Sequence, residues 1–149
     1  MKAKHLLRSQ NSLGEGPLWH PEEQTLYWVD ILGKTINRFK LETGEQEHFA
    51  VDSAVGVIAL REGGGFISAG VKGFGFWKPG QEKIEAISDP EADQPQSRFN
   101  DGKVDRKGRF WAGTMTHTGA VSALYRLDAD LSIHTMETGL TISNGIGWQ

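Results

Sequence analysis

The chain has 149 residues, a net charge of −3 with both signs interspersed, and no cysteine. The charge balance excludes the basic stripe that nucleic-acid binding requires, and the lack of cysteine excludes disulfides, thiolate zinc sites and a cysteine nucleophile. Because no run approaches the ~18 apolar residues of a membrane span, and no long apolar stretch follows the charged start, the sequence predicts a cytoplasmic protein with no membrane partner.

Short β-rich runs fenced by turn residues recur along the chain, and no window keeps helical apolar spacing for three turns. The 19 glycines and 5 tryptophans are typical of short strands joined by tight turns. The predicted strands form three groups and the start of a fourth: residues 25–31, 35–41 and 45–49; residues 56–60, 66–71, 73–77 and 82–87; residues 102–104, 109–115, 123–127 and 132–136; and a last strand from Gly145.

These groups repeat at a nearly constant interval. Gly16, Gly56, Gly102 and Gly145 stand at equivalent points, separated by 40, 46 and 43 residues. Repeats of roughly 40–50 residues with four strands each are typical of propeller blades, and each blade needs neighbours to cover both of its faces. Because aromatic and glycine positions recur within each group, the pattern favours a β-propeller over a β-sandwich.

The predicted fold is therefore all-β, an incomplete β-propeller domain over residues 1–149. We expect three four-stranded blades and the first strand of a fourth, at approximately residues 13–50, 51–95, 96–140 and 141–149. Gln149 falls inside that last strand, and a domain that stops in mid-strand leaves an unpaired edge. We expect either a chain cut from a longer protein or a ring that two copies complete, with three blades from each.

Candidate site residues lie where one blade passes to the next. The segments 14–19, 97–103 and 142–146 each precede a predicted innermost strand, and innermost strands line the channel, so these segments should converge on one mouth. They carry the oxygen donors Glu15, Asn100, Asp101 and Asn144, with the cation Arg98 beside them.

An all-oxygen donor set suits Ca²⁺, Mg²⁺ or Mn²⁺, and Zn²⁺ is also compatible. The alternative is that Asn100, Asp101 and Asn144 only form turns with the glycines that follow, because Asn and Gly tolerate positive φ. Val55 occupies the equivalent position in the second blade and offers no ligand.

Five segments, LGEGPLW, YWVDI, RFNDGKVD, GRFWAGTM and ISNGIGW, together resemble the senescence marker protein 30, gluconolactonase and regucalcin family, in its N-terminal half. The resemblance runs from Leu13 to Trp148. It implies a six-bladed propeller that holds one divalent metal ion (Ca²⁺, Zn²⁺, Mg²⁺ or Mn²⁺) at the channel mouth and hydrolyses sugar lactones.

By that resemblance Glu15 and Asn144 would be metal ligands, and Arg98 and Asn100 would contact the hydroxyl-rich substrate. Asp101 resembles a turn-holding residue rather than a ligand. The remaining family ligand, an aspartate that also serves as the acid and base, belongs about a blade beyond residue 149, so the chain itself offers no assigned catalytic residue.

The resemblance thus implies that the parent protein is a metal-dependent, gluconolactonase-like hydrolase and that this chain alone is weak or inactive. Two alternatives stay open from the sequence. One is a non-catalytic propeller that binds calcium or a partner. The other is a half-propeller that dimerises.

Overall fold

The computed structural model describes residues 2–118 and 122–149, and within these ranges it contains strands and no helix. No segment of the described chain is therefore a helix that could span a membrane. The strands, in chain order, are β1 (Gly14–His20), β2 (Thr25–Asp30), β3 (Thr35–Lys40), β4 (Gln46–Ala50), β5 (Val55–Leu60), β6 (Phe66–Gly70), β7 (Gly73–Trp77), β8 (Glu85–Ser88), β9 (Ser97–Val104), β10 (Phe110–Thr116), β11 (Ser122–Leu127) and β12 (Ile133–Leu140).

The strands form three four-stranded antiparallel sheets in which each strand pairs with the next one along the chain. The first sheet contains β1 to β4, the second β5 to β8, and the third β9 to β12. Each sheet is one blade, so the predicted all-β propeller with three four-stranded blades is confirmed.

Two hydrophobic cores lie between the blades rather than within them. Tyr27 of the first blade packs on Phe66 of the second, with ring centroids 4.6 Å apart. Phe74 of the second blade packs on Phe99 of the third at 4.5 Å. Since a blade is one sheet thick, it buries its apolar side chains only against its neighbours, and the stack of blades is the folding unit.

The positions of the innermost strands correct the sequence prediction. We predicted that segments 14–19 and 97–103 precede the first strands of their blades, but these segments are themselves the inner strands β1 and β9. Glycine and asparagine here do not end a strand. They form β-bulges, in which an extra residue interrupts the pairing and the strand then continues.

All three inner strands carry a bulge near the same end. In β5 the extra residue is Gly56, and in β9 it is Asn100. An ideal Cβ on Gly56 would lie 2.5 Å from the Phe99 carbonyl oxygen and 2.7 Å from that of Asn100. The inner strands of neighbouring blades therefore meet backbone to backbone at their bulges, and only glycine fits at position 56.

The predicted first strand of a fourth blade is not formed. Residues 143–149 have no strand pairing, and the one bridge in this region joins Ile142 to Met115. A strand exists only through hydrogen bonds to a partner strand, and no other segment of the described chain pairs with residues 143–149. The segment nevertheless lies against β9, through side-chain contacts described below.

The close approach at Gly56 gives a stability prediction. Gly56→Ala should lower the free energy of unfolding by about 2 kcal/mol, because the new methyl group meets two backbone oxygens that cannot rotate away. Gly147→Ala is the control, since a Cβ there meets nothing within 4 Å. Urea titration followed by fluorescence measures both variants, and equal stability of the two would contradict this packing.

Candidate functional site

Glu15 lies near the start of β1 and its side chain is exposed. The chain before it is fixed by the buried Asp30, whose carboxylate accepts hydrogen bonds from the backbone N–H groups of Ser12 and Leu13, both at 2.8 Å, and Gly33 at 3.0 Å. Burial alone would raise the pKa of Asp30, but these three donors lower it below its usual value. Within the described residues the Glu15 carboxylate has no hydrogen bond or ion pair, so it is available to a ligand.

Arg98 and Asn100 lie on β9 and contact each other directly. Arg98 Nη1 donates to Asn100 Oδ1 at 2.8 Å and to the Phe99 carbonyl oxygen at 3.1 Å. The guanidinium is half-buried, and this burial lowers the pKa of Arg98. The two residues are two positions apart on one strand, so their contact is local, and Asn100 is the bulged residue of β9.

The segment 143–148 is attached alongside β9 by side-chain hydrogen bonds. Asn100 Nδ2 donates to the Ser143 carbonyl oxygen at 3.0 Å, and the Asp101 carboxylate accepts from the Gly145 N–H at 2.7 Å. Further along, Trp148 Nε1 donates to the Val104 carbonyl oxygen at 3.1 Å. Asp101 and Val104 each bond a residue 44 positions later, so the segment runs parallel to β9.

Asn144 lies between two residues that are held in this way, and its own side chain is exposed. Asp101 also accepts from the Gly102 N–H at 2.8 Å, so both of its carboxylate oxygens are bonded to backbone donors. Asp101 therefore fixes the backbone, while Asn144 is left facing solvent.

A cavity of about 510 Å³ lies between the inner strands of the three blades and segment 143–148. Residues of all four contribute to its wall, including Gly16, Val57, Asp101 and Gly145. Segments distant in sequence thus border one space, as the walls of a propeller channel do.

The structure joins some of the predicted site residues and not others. Arg98 contacts Asn100, and Asn100 contacts the backbone next to Asn144. Glu15 touches none of these side chains in the described chain. Over residues 2–118 and 122–149, no group of three His, Cys, Asp or Glu side chains is placed to hold a metal ion. The carboxylate oxygens of Glu15 and the amide oxygen of Asn144 belong to the class of donors that hard divalent ions prefer.

Sequence reasoning missed one buried acidic residue near the mouth. Glu91, in the segment between β8 and β9, is only 5% exposed, and its carboxylate accepts hydrogen bonds from Ser97, Thr114 and Tyr125. In the sequence it stands among prolines, acidic and polar residues, a context typical of a solvated loop. No local pattern indicates its burial.

Known proteins resemble this chain along nearly all of its length. A family model described as the SMP-30/Gluconolactonase/LRE-like region matches residues 13–149. Regucalcin from Danio rerio is 33% identical over 152 residues, covering 99% of this chain and 51% of the relative. Pentonolactonase XacC from Haloferax volcanii is 36% identical over 139 residues, covering 91% of this chain and 46% of the relative. The solved structure of a luciferin-regenerating enzyme matches with a TM-score of 0.83 at 32% identity, covering 93% of this chain and 49% of that one.

Stacked four-stranded blades with polar residues at one end of their inner strands define the chain as part of a β-propeller. Because the family model matches most of its residues, the chain belongs to the SMP-30/Gluconolactonase/LRE-like family, and the resemblance found in the sequence is confirmed. The chain spans about half the length of the curated relatives it matches.

The role of Asp101 is testable by amide exchange. Asp101→Ala removes the acceptor of the Gly145 N–H, so exchange of that amide should accelerate about tenfold, equivalent to ~1.4 kcal/mol. Asp130→Ala is the control, because among the residues described here that turn carboxylate bonds only to Ser132, and its loss should leave Gly145 unchanged. Hydrogen exchange followed by NMR measures both. Equal exchange at Gly145 in both variants would exclude Asp101 as the anchor.

Proposed function

We propose that the protein acts in metal-dependent hydrolysis of sugar lactones. In this proposal Glu15 and Asn144 are protein ligands of one divalent ion (Ca²⁺, Zn²⁺, Mg²⁺ or Mn²⁺), and Arg98 and Asn100 bind the hydroxyl groups of the lactone. The observation that carries it is the chain of hydrogen bonds from Arg98 through Asn100 to Ser143, which brings the substrate pair beside Asn144. Membership of the family, and the relative named pentonolactonase, support the substrate class.

Arg98 can bind oxygen atoms of a ligand while it holds Asn100. A guanidinium has five N–H donors, and among the described residues only Nη1 of Arg98 has protein acceptors. The remaining donors can bind substrate hydroxyls or stabilise negative charge that develops on the lactone. Half-burial strengthens such contacts, because the local dielectric is lower than that of water.

Asn100 is held on both sides of its amide. Its oxygen accepts from Arg98 and its nitrogen donates to Ser143, which fixes the orientation of the side chain. A bound divalent ion would polarise the lactone carbonyl and lower the pKa of a water molecule. Glu15 contributes the negative charge that attracts the ion, and its position on β1 places this charge on a different blade from Asn100.

We also propose that the chain alone binds the ion weakly and hydrolyses lactones slowly or not at all. Two of the ligands that the family resemblance implies, Glu15 and Asn144, lie in this chain, and the aspartate expected to transfer the proton is not among its assigned residues. The second candidate is a propeller that binds calcium or a partner without catalysis, and this function requires no proton-transferring aspartate.

Calorimetric titration with Ca²⁺ and Mn²⁺ tests the metal ligand. Glu15→Ala should weaken binding at least about tenfold, or ~1.4 kcal/mol, because it removes the charged ligand. Glu22→Ala removes an equally exposed carboxylate on the turn after β1 and should leave the affinity unchanged. Equal affinities of the two variants would remove Glu15 from the metal site.

Gluconolactone separates the enzymatic from the non-catalytic candidate. The chain should bind this lactone in the presence of the ion, and Arg98→Ala should weaken binding, while hydrolysis should not exceed the rate in buffer. Metal-dependent hydrolysis that Glu15→Ala abolishes would instead show that these residues suffice for catalysis. Binding of the ion with no binding of the lactone would favour the non-catalytic candidate.

A further inference from the structure

Glu91 is a buried charged group outside the proposed ligand set. It lies in segment 89–96, which connects β8 to β9, and its side chain enters the third blade. Its Oε2 accepts from the hydroxyl of Ser97 on β9. Its Oε1 accepts from Thr114 on β10 at 3.0 Å and from Tyr125 on β11 at 2.9 Å. One carboxylate thus links three adjacent strands.

The chemistry of this cluster requires a carboxylate. An ionised carboxylate accepts at both oxygens and can bind three hydroxyl donors at once, whereas an amide accepts at only one. Thr114 is further constrained, since its hydroxyl oxygen also accepts from the Ala123 N–H at 2.9 Å. Of the two acceptors within reach of its proton, the Glu91 carboxylate at 3.0 Å is nearer than the Ala123 carbonyl oxygen at 3.3 Å. In the described residues Glu91 has no cationic partner, so these hydroxyls compensate its burial.

The contact with Ser97 connects the cluster to the mouth. Ser97 is the first residue of β9 and directly precedes Arg98. The same strand end pairs with β10, where Ser97 faces Thr116 and Arg98 faces Met115. Because Arg98 in turn holds Asn100, a shift of the first residue of β9 would move both side chains.

We propose that Glu91 is a positioning residue, which fixes Ser97 and through it directs Arg98 and Asn100 towards the channel mouth. The relevance of this to substrate rests on the proposed function, in which Arg98 and Asn100 bind the lactone. The positioning itself is a property of the described residues and can be measured without any lactone.

Modification of arginine by phenylglyoxal, with each site quantified by mass spectrometry, measures how firmly Arg98 is held. In Glu91→Gln one amide oxygen remains for three hydroxyl donors, which weakens the contact with Ser97, so Arg98 should react about fivefold faster than in the unaltered chain, equivalent to ~1 kcal/mol. Ser97→Ala removes the hydroxyl donor of the same hydrogen bond and should increase the reaction rate of Arg98 by the same factor. Glu85→Gln, an exposed position on β8, is the matched charge control and should give none.

The modification rates of Arg61 and Arg109 show whether a variant loosens the whole structure. These two arginines lie at other turns and should react at unchanged rates in all variants. In the double variant Glu91→Gln/Ser97→Ala, Arg98 should react at the same rate as in each single variant, because both substitutions act through one contact. Unchanged reactivity of Arg98, or equal acceleration at all three arginines, would overturn the proposal. If the circular dichroism spectrum shows that Glu91→Gln is unfolded, the reactivity of Arg98 in Ser97→Ala, which lacks only one hydroxyl, tests the proposal.

The proposed function can fail separately. If Arg98 responds as expected but Arg98→Ala leaves lactone binding intact, Glu91 still positions Arg98, and the assignment of Arg98 to the substrate is wrong. If Arg98→Ala abolishes lactone binding while Glu91→Gln leaves Arg98 reactivity unchanged, the lactone site stands and Glu91 has no part in it.

Discussion

The inner strands of neighbouring blades approach each other backbone to backbone, and the rest of the structure depends on this contact. Gly56 lies so close to the carbonyl oxygens of Phe99 and Asn100 that no side chain fits between them. This approach allows each thin sheet to bury its apolar face against the next, in the two cores between blades. It also aligns the bulges of the three inner strands at one end of the channel.

The positions of the polar residues at this end of the channel follow from the alignment of the bulges. A bulge re-aims side chains without ending the strand, and in β9 it holds Asn100 between Arg98 and the segment that carries Asn144. Both carboxylate oxygens of Asp101 accept hydrogen bonds from backbone N–H groups. The bond to Gly145 keeps the segment 143–148 beside β9, although this segment does not pair with β9 as a strand. The scaffold residue Asp101 therefore directly follows the candidate substrate residue Asn100 on β9, and a change at one position will affect the other.

Much of the fold could be predicted from the sequence, because tight turns and β-rich runs are local signals. The prediction fails where a sequence pattern is ambiguous or where a structural feature depends on residues distant in sequence. Glycine and asparagine indicate turns, so β9 was predicted to begin at Gly102 although it begins at Ser97. The strand predicted from Gly145 needs a partner strand, which periodicity cannot supply. Motifs suggested Arg98, Asn100, Glu15 and Asn144 as candidates, whereas the burial of Glu91 depends on hydroxyls up to 34 residues away.

We propose above all that the starts of β1 and β9 and the segment 143–148 meet at one mouth suited to a divalent ion. Titration of the isotope-labelled chain with Mn²⁺, a paramagnetic ion that broadens nearby NMR signals, tests it most directly. We expect the amide signals of Glu15, Asn100 and Asn144 to broaden together, before those of the acidic turn at Asp128 and Asp130. Broadening at that turn first, or at only one of the three segments, would contradict a shared site.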